Sequence, residues 1–425
     1  MGFGECSYDV VVVGGGPAGL TLASLLPGRV ALVERHPVLG GCHRVLPGPD
    51  FVEHGPRVYS GSYVNVADVL RDLVGLEWSD VFRPVDFSPE HIDGKHWYRW
   101  LAPAEIAALV LEYLVFVLVP GHGRGVSMAT FCAARDFSAE SRRYVDLVCR
   151  FSDGAGAARY TLWEFLSGFD QHLRPFYVPK KPLGWVFERW ADRLRARGVD
   201  LFLGEAALRV SKTRVTLQTQ ELRACRVVLC MPPTHAAALL GVRSAFAKRT
   251  AYEPYWSVSF FGATVPASQR STPWGVIAVQ YPFGVVSAAA TLFDVRSPAT
   301  GRTLRQSDDD EAAREIRRQL GLGDDVRFAY LQSPYHDQAY VAVPNAGALT
   351  RMRGIDVVGC HNGRSSYHFT SMESAVQNAL TYLGRRPRSP WHLSDFIRCV
   401  IFVTLASLTF CNASSLCSNT CSRTF

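Results

Sequence analysis

The stretch from Asp9 to Glu34, DVVVVGGGPAGLTLASLLPGRVALVE, narrows the possible folds more than any other part of the chain. It opens on a continuous apolar run, Val10 to Val13, of the kind a strand needs when both its faces are buried. The cluster Gly14-Gly15-Gly16-Pro17-Ala18-Gly19 follows and fits G-x-G-x-x-G. A helical pattern of Leu20, Leu22, Ala23, Leu25 and Leu26 comes next, then a turn at Pro27-Gly28 and a second apolar run, Val30 to Val33, ending on Glu34. Strand, glycines, helix, strand and acid in this order predict a Rossmann-type βαβ unit that binds a dinucleotide.

Each part has a mechanical reason. Gly14 lets the chain turn sharply out of the strand, Gly16 keeps no side chain between backbone and pyrophosphate, and Gly19 lets helix and sheet pack closely. The helix opening at Pro17 and Ala18 presents unbonded N–H groups and a partial positive charge to the phosphates. Glu34, about twenty residues downstream, can accept hydrogen bonds from a ribose. Arg35 beside it is a second candidate contact, but an acid at the strand end argues against a ribose phosphate.

A second glycine pair decides which dinucleotide to expect. Val33-Glu34-Arg35-His36-Pro37-Val38-Leu39-Gly40-Gly41 resembles the "E-R/K-x-x-x-x-G-G" extension of two-dinucleotide-binding flavoproteins. The chain is thereby similar to the FAD-dependent amine oxidase, phytoene desaturase and protoporphyrinogen oxidase superfamily, and the resemblance implies FAD. Gly40 and Gly41 allow a second close backbone approach to a long cofactor, which an enzyme using only NAD does not need. The superfamily usually has an arginine after the pair. Cys42 stands here, followed by His43 and Arg44, so Arg44 becomes the candidate phosphate contact.

Composition is that of an ordinary globular protein, and 425 residues suffice for two domains. The net charge of +7 is spread along the chain, without a basic run suited to nucleic acid. The densest cluster, Arg385-Arg386-Pro387-Arg388, reads as a solvated linker. Eleven cysteines show no metal-ligand spacing. Cys6, Cys42, Cys132, Cys149, Cys225, Cys230 and Cys360 read as reduced, buried small residues, and the absence of a signal-like segment before the first strand implies a reducing, cytoplasmic setting.

Farther on, Phe51 to Tyr59 alternates like a strand broken at Gly55-Pro56. By resemblance, this segment, with His54, Gly55, Pro56 and Arg57, passes near the isoalloxazine ring. With Val64 to Leu70 it also resembles a segment of UDP-galactopyranose mutase. Helical patterns occupy Ala104 to Val119, Ser138 to Arg150 and Tyr160 to Phe169; the first is apolar but interrupted by Glu105 and Glu112, and reads as a buried helix. Tyr177 to Gly204 resembles the superfamily's return to the FAD domain, which places Val210 near the adenine. Arg226 to Cys230 reads as a strand stopped by Pro232-Pro233. Short alternating runs at Ser257 to Phe261, Gly275 to Val279 and Gly284 to Leu292 suit an antiparallel sheet flooring the substrate site, and Asp308 to Leu320 reads as a solvated helix.

The last motif mirrors the first. Gly354 to Gly359 reads as a short buried strand, Asn362 to Tyr367 as a polar loop, and Ser371-Met372-Glu373-Ser374-Ala375-Val376 as a helix start. This resembles the superfamily's C-terminal FAD segment, with Cys360 where an acid normally follows Gly359. The amides of Ser371 and Met372 would face the flavin's pyrimidine edge. Gly363-Arg364 followed by Tyr367-His368 is similar to the mutase, in which the arginine touches the flavin.

The sequence therefore predicts an α/β fold: a Rossmann-like FAD-binding domain with an inserted mixed α+β substrate domain. The FAD domain is assembled from residues 1–75, 180–250 and 350–385, and the substrate domain from 76–179 and 251–349. A tail, 386–425, carries an apolar run from Cys399 to Cys411, about thirteen residues and too short to span a bilayer; it reads as a non-essential appendage, with an interfacial membrane anchor as the alternative. The favoured activity is hydride transfer from a small-molecule C–H to FAD, with His54, Arg57, Tyr367 and His368 as candidate catalytic groups. A nucleotide-sugar mutase and a non-catalytic FAD-fold binding protein are the alternatives. The oligomeric state is not legible.

Overall fold

The computed structural model describes residues 7–45, 57–85, 91–92, 95–96, 99–119, 121–153, 156–172, 174–242, 250–265, 276–291, 297, 299–302, 304, 308–332, 338–342, 349–360 and 371–388. Its largest sheet has the strand order Arg351–Met352, Ile355–Val357, Glu221–Leu229, Tyr8–Val13, Val30–Glu34, Asp200–Leu203. All but the first of these run parallel, in register at Val13↔Leu229, Val13↔Val33, Leu229↔Val357 and Glu34↔Leu203. A hairpin, Arg209–Val210 with Arg214–Thr216, joins the lower end of the central strand at Val215↔Leu222.

Both faces of this sheet are covered, which is why its strands read as unbroken apolar runs. Val10 and Val12 point to one side, against the helices Pro17–Leu25, Gly184–Ala196 and Met372–Tyr382. Val11 and Val13 point to the other, toward the hairpin and the helix Pro233–Leu239. Trp190 fastens two helices of the first layer, its Nε1–H donating to Ser24 Oγ at 2.9 Å. The proline pair therefore ends the strand, at Leu229, and also opens a helix, because Pro233 sits at the first helical position where no N–H is needed.

A second, antiparallel sheet contains Thr250–Phe261, Ile277–Gln280, Val285–Thr291, Phe328–Gln332 and Gln338–Ala342. Trp256, Val258 and Phe260 bury one face beneath the helix Asp309–Gln319, which contributes Ala312, Ala313 and Ile316. That helix is thus an amphipathic cover for the sheet and not the solvated helix expected from its charges. The other face meets a small three-stranded sheet, Tyr59–Ser60, Phe176–Pro179 and Phe82–Val85, through Val279, Tyr281 and Val285.

Four helices, Pro103–Leu118, Met128–Ala134, Ala139–Asp153 and Leu162–His172, form a separate apolar cluster. The first of them inverts the expected pattern. Glu105 and Glu112 are buried, while Leu111 and Leu118 are exposed. Glu105 accepts from the N–H groups of Ala102 and Ser138 and from Ser141 Oγ, and Glu112 binds Arg135 and His122. The acids hold this bundle together, so the helix is only half buried. No described helix is long and apolar enough to cross a membrane. The cysteines also divide: Cys132 and Cys149 are buried in this bundle as expected, whereas Cys42 and Cys225 are exposed.

Candidate cofactor and active site

The two glycine loops form one bed. Gly14 has φ +117° and donates its N–H to Val33 O at 2.8 Å; a Cβ there would lie 2.1 Å from Cys230 O. A Cβ on Gly19 would lie 1.9 Å from Gly14 O. Packing alone therefore demands both glycines. Gly16 is different: its added Cβ would meet nothing nearer than Gly41 Cα, at 3.6 Å. Gly40 and Gly41 are both left-handed, and the Gly40 N–H donates to Gly15 O at 2.9 Å, sewing the second glycine pair to the first. Gly16 caps the helix Pro17–Leu25 without a side-chain hydrogen bond, so Ala18 and Gly19 open a helix whose first turn has no side-chain cap.

Arg44 turns back over this bed. Its Nη1–H donates to Gly41 O at 2.8 Å, while its buried Nε has no hydrogen-bond partner. Cys42 lies between, in the short turn Gly41–His43. Glu34 is buried, accepting from the Gly15 N–H at 2.7 Å and the His36 N–H at 2.9 Å. Its carboxylate thus fixes the glycine loop and keeps lone pairs for further donors. Arg35 is exposed, with Nε 3.2 Å from His36 Nε2. Burial, and then the Arg35 charge, push the His235 imidazole below its usual pKa. Val210 lies in the hairpin at the start of the central strand and packs against the apolar cluster that includes Val13 and Val33; the residues bonded to the Glu34 corner are Gly204, through His36 O, and Glu205, through Glu34 O.

The trailing segment arrives at the same edge. Val358 donates to Leu229 O at 2.8 Å, and Gly359 and Cys360 leave the sheet there. Ser371 caps the helix Met372–Tyr382, its hydroxyl accepting from the Ser374 N–H at 2.9 Å, and Ser374 Oγ is 3.5 Å from Cys360 O. Tyr382, at the other helix end, bonds Asp356 at 2.7 Å, so the helix runs back along its strand. Met372 and Val376 share a core with Ala18 and Leu22. Two parallel strands each followed by a returning helix bring both helix N-termini, at residues 14–19 and 371–373, to one edge of the sheet.

Glu373 anchors this helix. It is fully buried and accepts from Asn65 Nδ2 and N, Val66 N and Gln377 Nε2. Burial raises its pKa, and these four donors offset part of the rise. Asn65 also pairs with the backbone of Arg388, and the Arg388 guanidinium meets Asp68. Arg388 is exposed, as Arg385 and Arg386 are, but its backbone and guanidinium are both tied down.

Toward the second sheet stands His43, whose Nδ1 is 3.0 Å from Tyr59 Oη. Burial, then the Arg57 charge, push its pKa well below the ordinary imidazole value. Arg57 is the joint between the two sheets: its N–H donates to Tyr281 Oη at 2.9 Å, and that hydroxyl lies 3.3 Å from Arg57 O. Tyr281 stacks on Phe283 with ring centroids 5.1 Å apart. His54, Gly55, Pro56, Arg364, Tyr367 and His368 lie outside the described residues. Sequence reasoning passed over His43, Tyr59, Asn65 and Tyr281. Of these only Asn65, polar in the apolar run Val64 to Leu70, left a trace in the sequence.

A family model for NAD(P)-binding Rossmann-like domains matches residues 12–73. Among solved structures, cyclohexylamine oxidase from Brevibacterium oxydans superimposes with a TM-score of 0.66 at 14% identity, covering 88% of this chain and 97% of that one. The chain has the amine-oxidase fold. Wild-type putrescine oxidase bound to putrescine gives 0.60 at 14% identity, covering 89% of this chain and 99% of that one. An oxidoreductase from Methanosarcina mazei gives 0.60 at 13%, covering 88% and 100%. The comparison with curated proteins found no match. The likeness spans the whole discontinuous main sheet, whose neighbouring strands come from residues 8–34, 200–229 and 351–357.

Proposed function

We propose that this chain is an FAD-dependent oxidoreductase of the amine-oxidase type, acting on a small molecule. The observation that carries the reading is the shared edge: two glycine loops bonded to each other, with the capped helix Met372–Tyr382 beginning beside them. The residues suit a dinucleotide. Gly16 leaves bare backbone, with Gly41 packed closely beneath it, and Arg44 Nε is a buried donor without a partner. Gly14, Gly16, Gly40, Gly41 and Arg44 would hold the pyrophosphate, Glu34 the ribose, and Gly359, Cys360, Ser371 and Met372 the flavin end. When bound, FAD would supply the hydride acceptor.

The chain's own groups do the rest. The N-terminus of the helix Met372–Tyr382 would turn partial positive charge toward a bound flavin and so favour its reduced, anionic form. Arg57 places a fixed cation beside His43, and Tyr281 pins its backbone. His43 stays neutral at physiological pH, so it can exchange a hydrogen bond with Tyr59 without adding charge to the site. Tyr281, Phe283, Phe261 and Phe176 keep water from this corner.

The test is direct. The purified protein should carry flavin absorption, which cyclohexylamine, putrescine or a related amine bleaches anaerobically and oxygen restores. Colourless protein that takes up no added FAD would refute the proposal.

A further inference from the structure

Of the five large apolar side chains that stand exposed among the described residues, four lie together: Leu111, Leu118, Val119 and Val126. They belong to the helix Pro103–Leu118 and the loop that follows it. Ala104, Ala107, Leu111 and Leu118 are all exposed and recur at steps of three, four and seven residues, so they fall on one side of that helix. Val115, half-buried, fills the interval between the two leucines on the same side. The opposite side, with Glu105, Leu109, Glu112 and Tyr113, is the buried one.

A surface helix ordinarily buries its apolar stripe and turns its charges outward. This one does the reverse. Both its acids face inward, Glu105 held by hydrogen bonds and Glu112 matched by Arg135 and His122. The stripe left outside is alanine, leucine and valine alone. Among the described residues from Arg99 to Thr130, the exposed charges are both cations: Arg99 before the helix and Arg124 after it. Arg124 is steadied by Trp163, its guanidinium carbon 4.5 Å from the ring centroid.

A grouped apolar surface of this kind marks a place where something docks. The make-up of the stripe says what. A protein partner is normally gripped by aromatic or arginine anchors and by hydrogen bonds across the contact, and the stripe offers neither. A second copy of this chain, related by a two-fold axis, would set the arginine at one helix end against an arginine of its partner. Hydrocarbon asks for no hydrogen bonds, and anionic headgroups suit both arginines. The helix is about 24 Å long, too short to cross a bilayer but able to lie along its surface.

We infer that the outer face of the helix Pro103–Leu118 seats on a bilayer surface containing anionic lipid, with Leu111, Leu118 and Val119 at the acyl boundary and Arg99 and Arg124 among the headgroups. The attachment is peripheral and reversible, because one short apolar face does not anchor a chain permanently. It requires neither flavin nor substrate, so it stands apart from the oxidoreductase reading.

The test is co-sedimentation of the full chain with vesicles of phosphatidylcholine mixed with phosphatidylglycerol, against vesicles of phosphatidylcholine alone. The chain should bind the mixed vesicles about tenfold more tightly, and high salt should remove that difference. Leu111→Gln/Leu118→Gln and, separately, Ala104→Glu/Ala107→Glu should each weaken binding about tenfold or more. Both pairs alter exposed positions, and acids suit the first turns of a helix, so the unfolding midpoints should match the parent's. A parent that stays in the supernatant, equal binding to the two kinds of vesicle, or binding that neither pair weakens would overturn the inference. The last would put the attachment elsewhere, as in the tail 386–425. A lipid-free dimer that either pair dissociates would also overturn it, making a second copy the occupant. So would a fall in both midpoints, which would mean that the stripe serves the fold.

Discussion

Asn65 and Glu373 lie 308 positions apart in the sequence, yet the Asn65 side-chain amide donates to the Glu373 carboxylate at 2.6 Å. The same amide nitrogen reaches Arg388 O at 2.8 Å, and its carbonyl oxygen accepts the Arg388 N–H at 2.8 Å. One asparagine therefore joins the second helix of the dinucleotide half, the helix that closes it, and the last described residue of the chain.

Asn65→Ala should lower stability by about 2–4 kcal/mol, because it strips a charge-assisted hydrogen bond from a fully buried acid and frees two backbone groups. Urea denaturation, with the midpoint falling at constant slope, would show this. A change within about 0.5 kcal/mol would mean that Glu373 is held by its remaining donors alone.

The glycines of the first loop should separate folding from binding. Gly14→Ala puts a methyl into Cys230 O at a left-handed φ, and should cost about 3 kcal/mol or more. Gly16→Ala meets only Gly41 Cα at 3.6 Å, so the fold should persist while the flavin-to-protein ratio drops. Equal loss of folding in the two variants would contradict the picture of Gly16 as a bare cradle.

His43 and His235 should make the protein acid-sensitive. Both imidazoles have folded-state pKa values below the ordinary one, so below about pH 6.5 the unfolded chain binds protons that the folded chain refuses. Their contribution is complete above that pH and is lost as pH falls toward the folded values, with a slope of up to about 1.4 kcal/mol per pH unit for each group. Unfolding midpoints measured from pH 8 to pH 5 should decline less steeply in His43→Gln than in the parent.

The helix Pro103–Leu118 should respond to substitution opposite to its polarity. Glu105→Ala removes the partner of two backbone N–H groups and the Ser141 hydroxyl, and should cost about 2–4 kcal/mol. Leu118→Gln, at a position 76% exposed, should stay within about 0.5 kcal/mol. Thermal or urea unfolding of the two variants would decide it.

What was legible in the sequence were the places where one atom's contact dictates the residue. Gly14 and Gly19 are glycines because backbone oxygens leave no room, and such glycines in series spell the βαβ unit. Gly40-Gly41 and Ser371-Met372 could be placed by resemblance, because both follow the spacing of the superfamily's motifs. The rest depends on partners far away in the chain. Glu105 and Glu112 read as interruptions of an apolar helix, since nothing local says that Ser138 and Arg135 will fold back onto them. The pairing of Arg388 could not be read because Asp68 is 320 residues off. The helix Asp309–Gln319 looked solvated because its charges dominate its composition, although Ala312, Ala313, Ile316 and Leu320 recur at helical spacing along its buried face.

The order of strands in the main sheet has a bearing on biosynthesis. Ile355–Val357 docks on Glu221–Leu229, which itself docks on the first strand, Tyr8–Val13. A nascent chain therefore carries its opening glycine loop for most of translation with the far border of the sheet unfinished, and apolar edges of that kind invite aggregation until chaperones or completion cover them. A message cut short anywhere before the codon for Val358 should yield a main sheet without the helix Met372–Tyr382 that covers it.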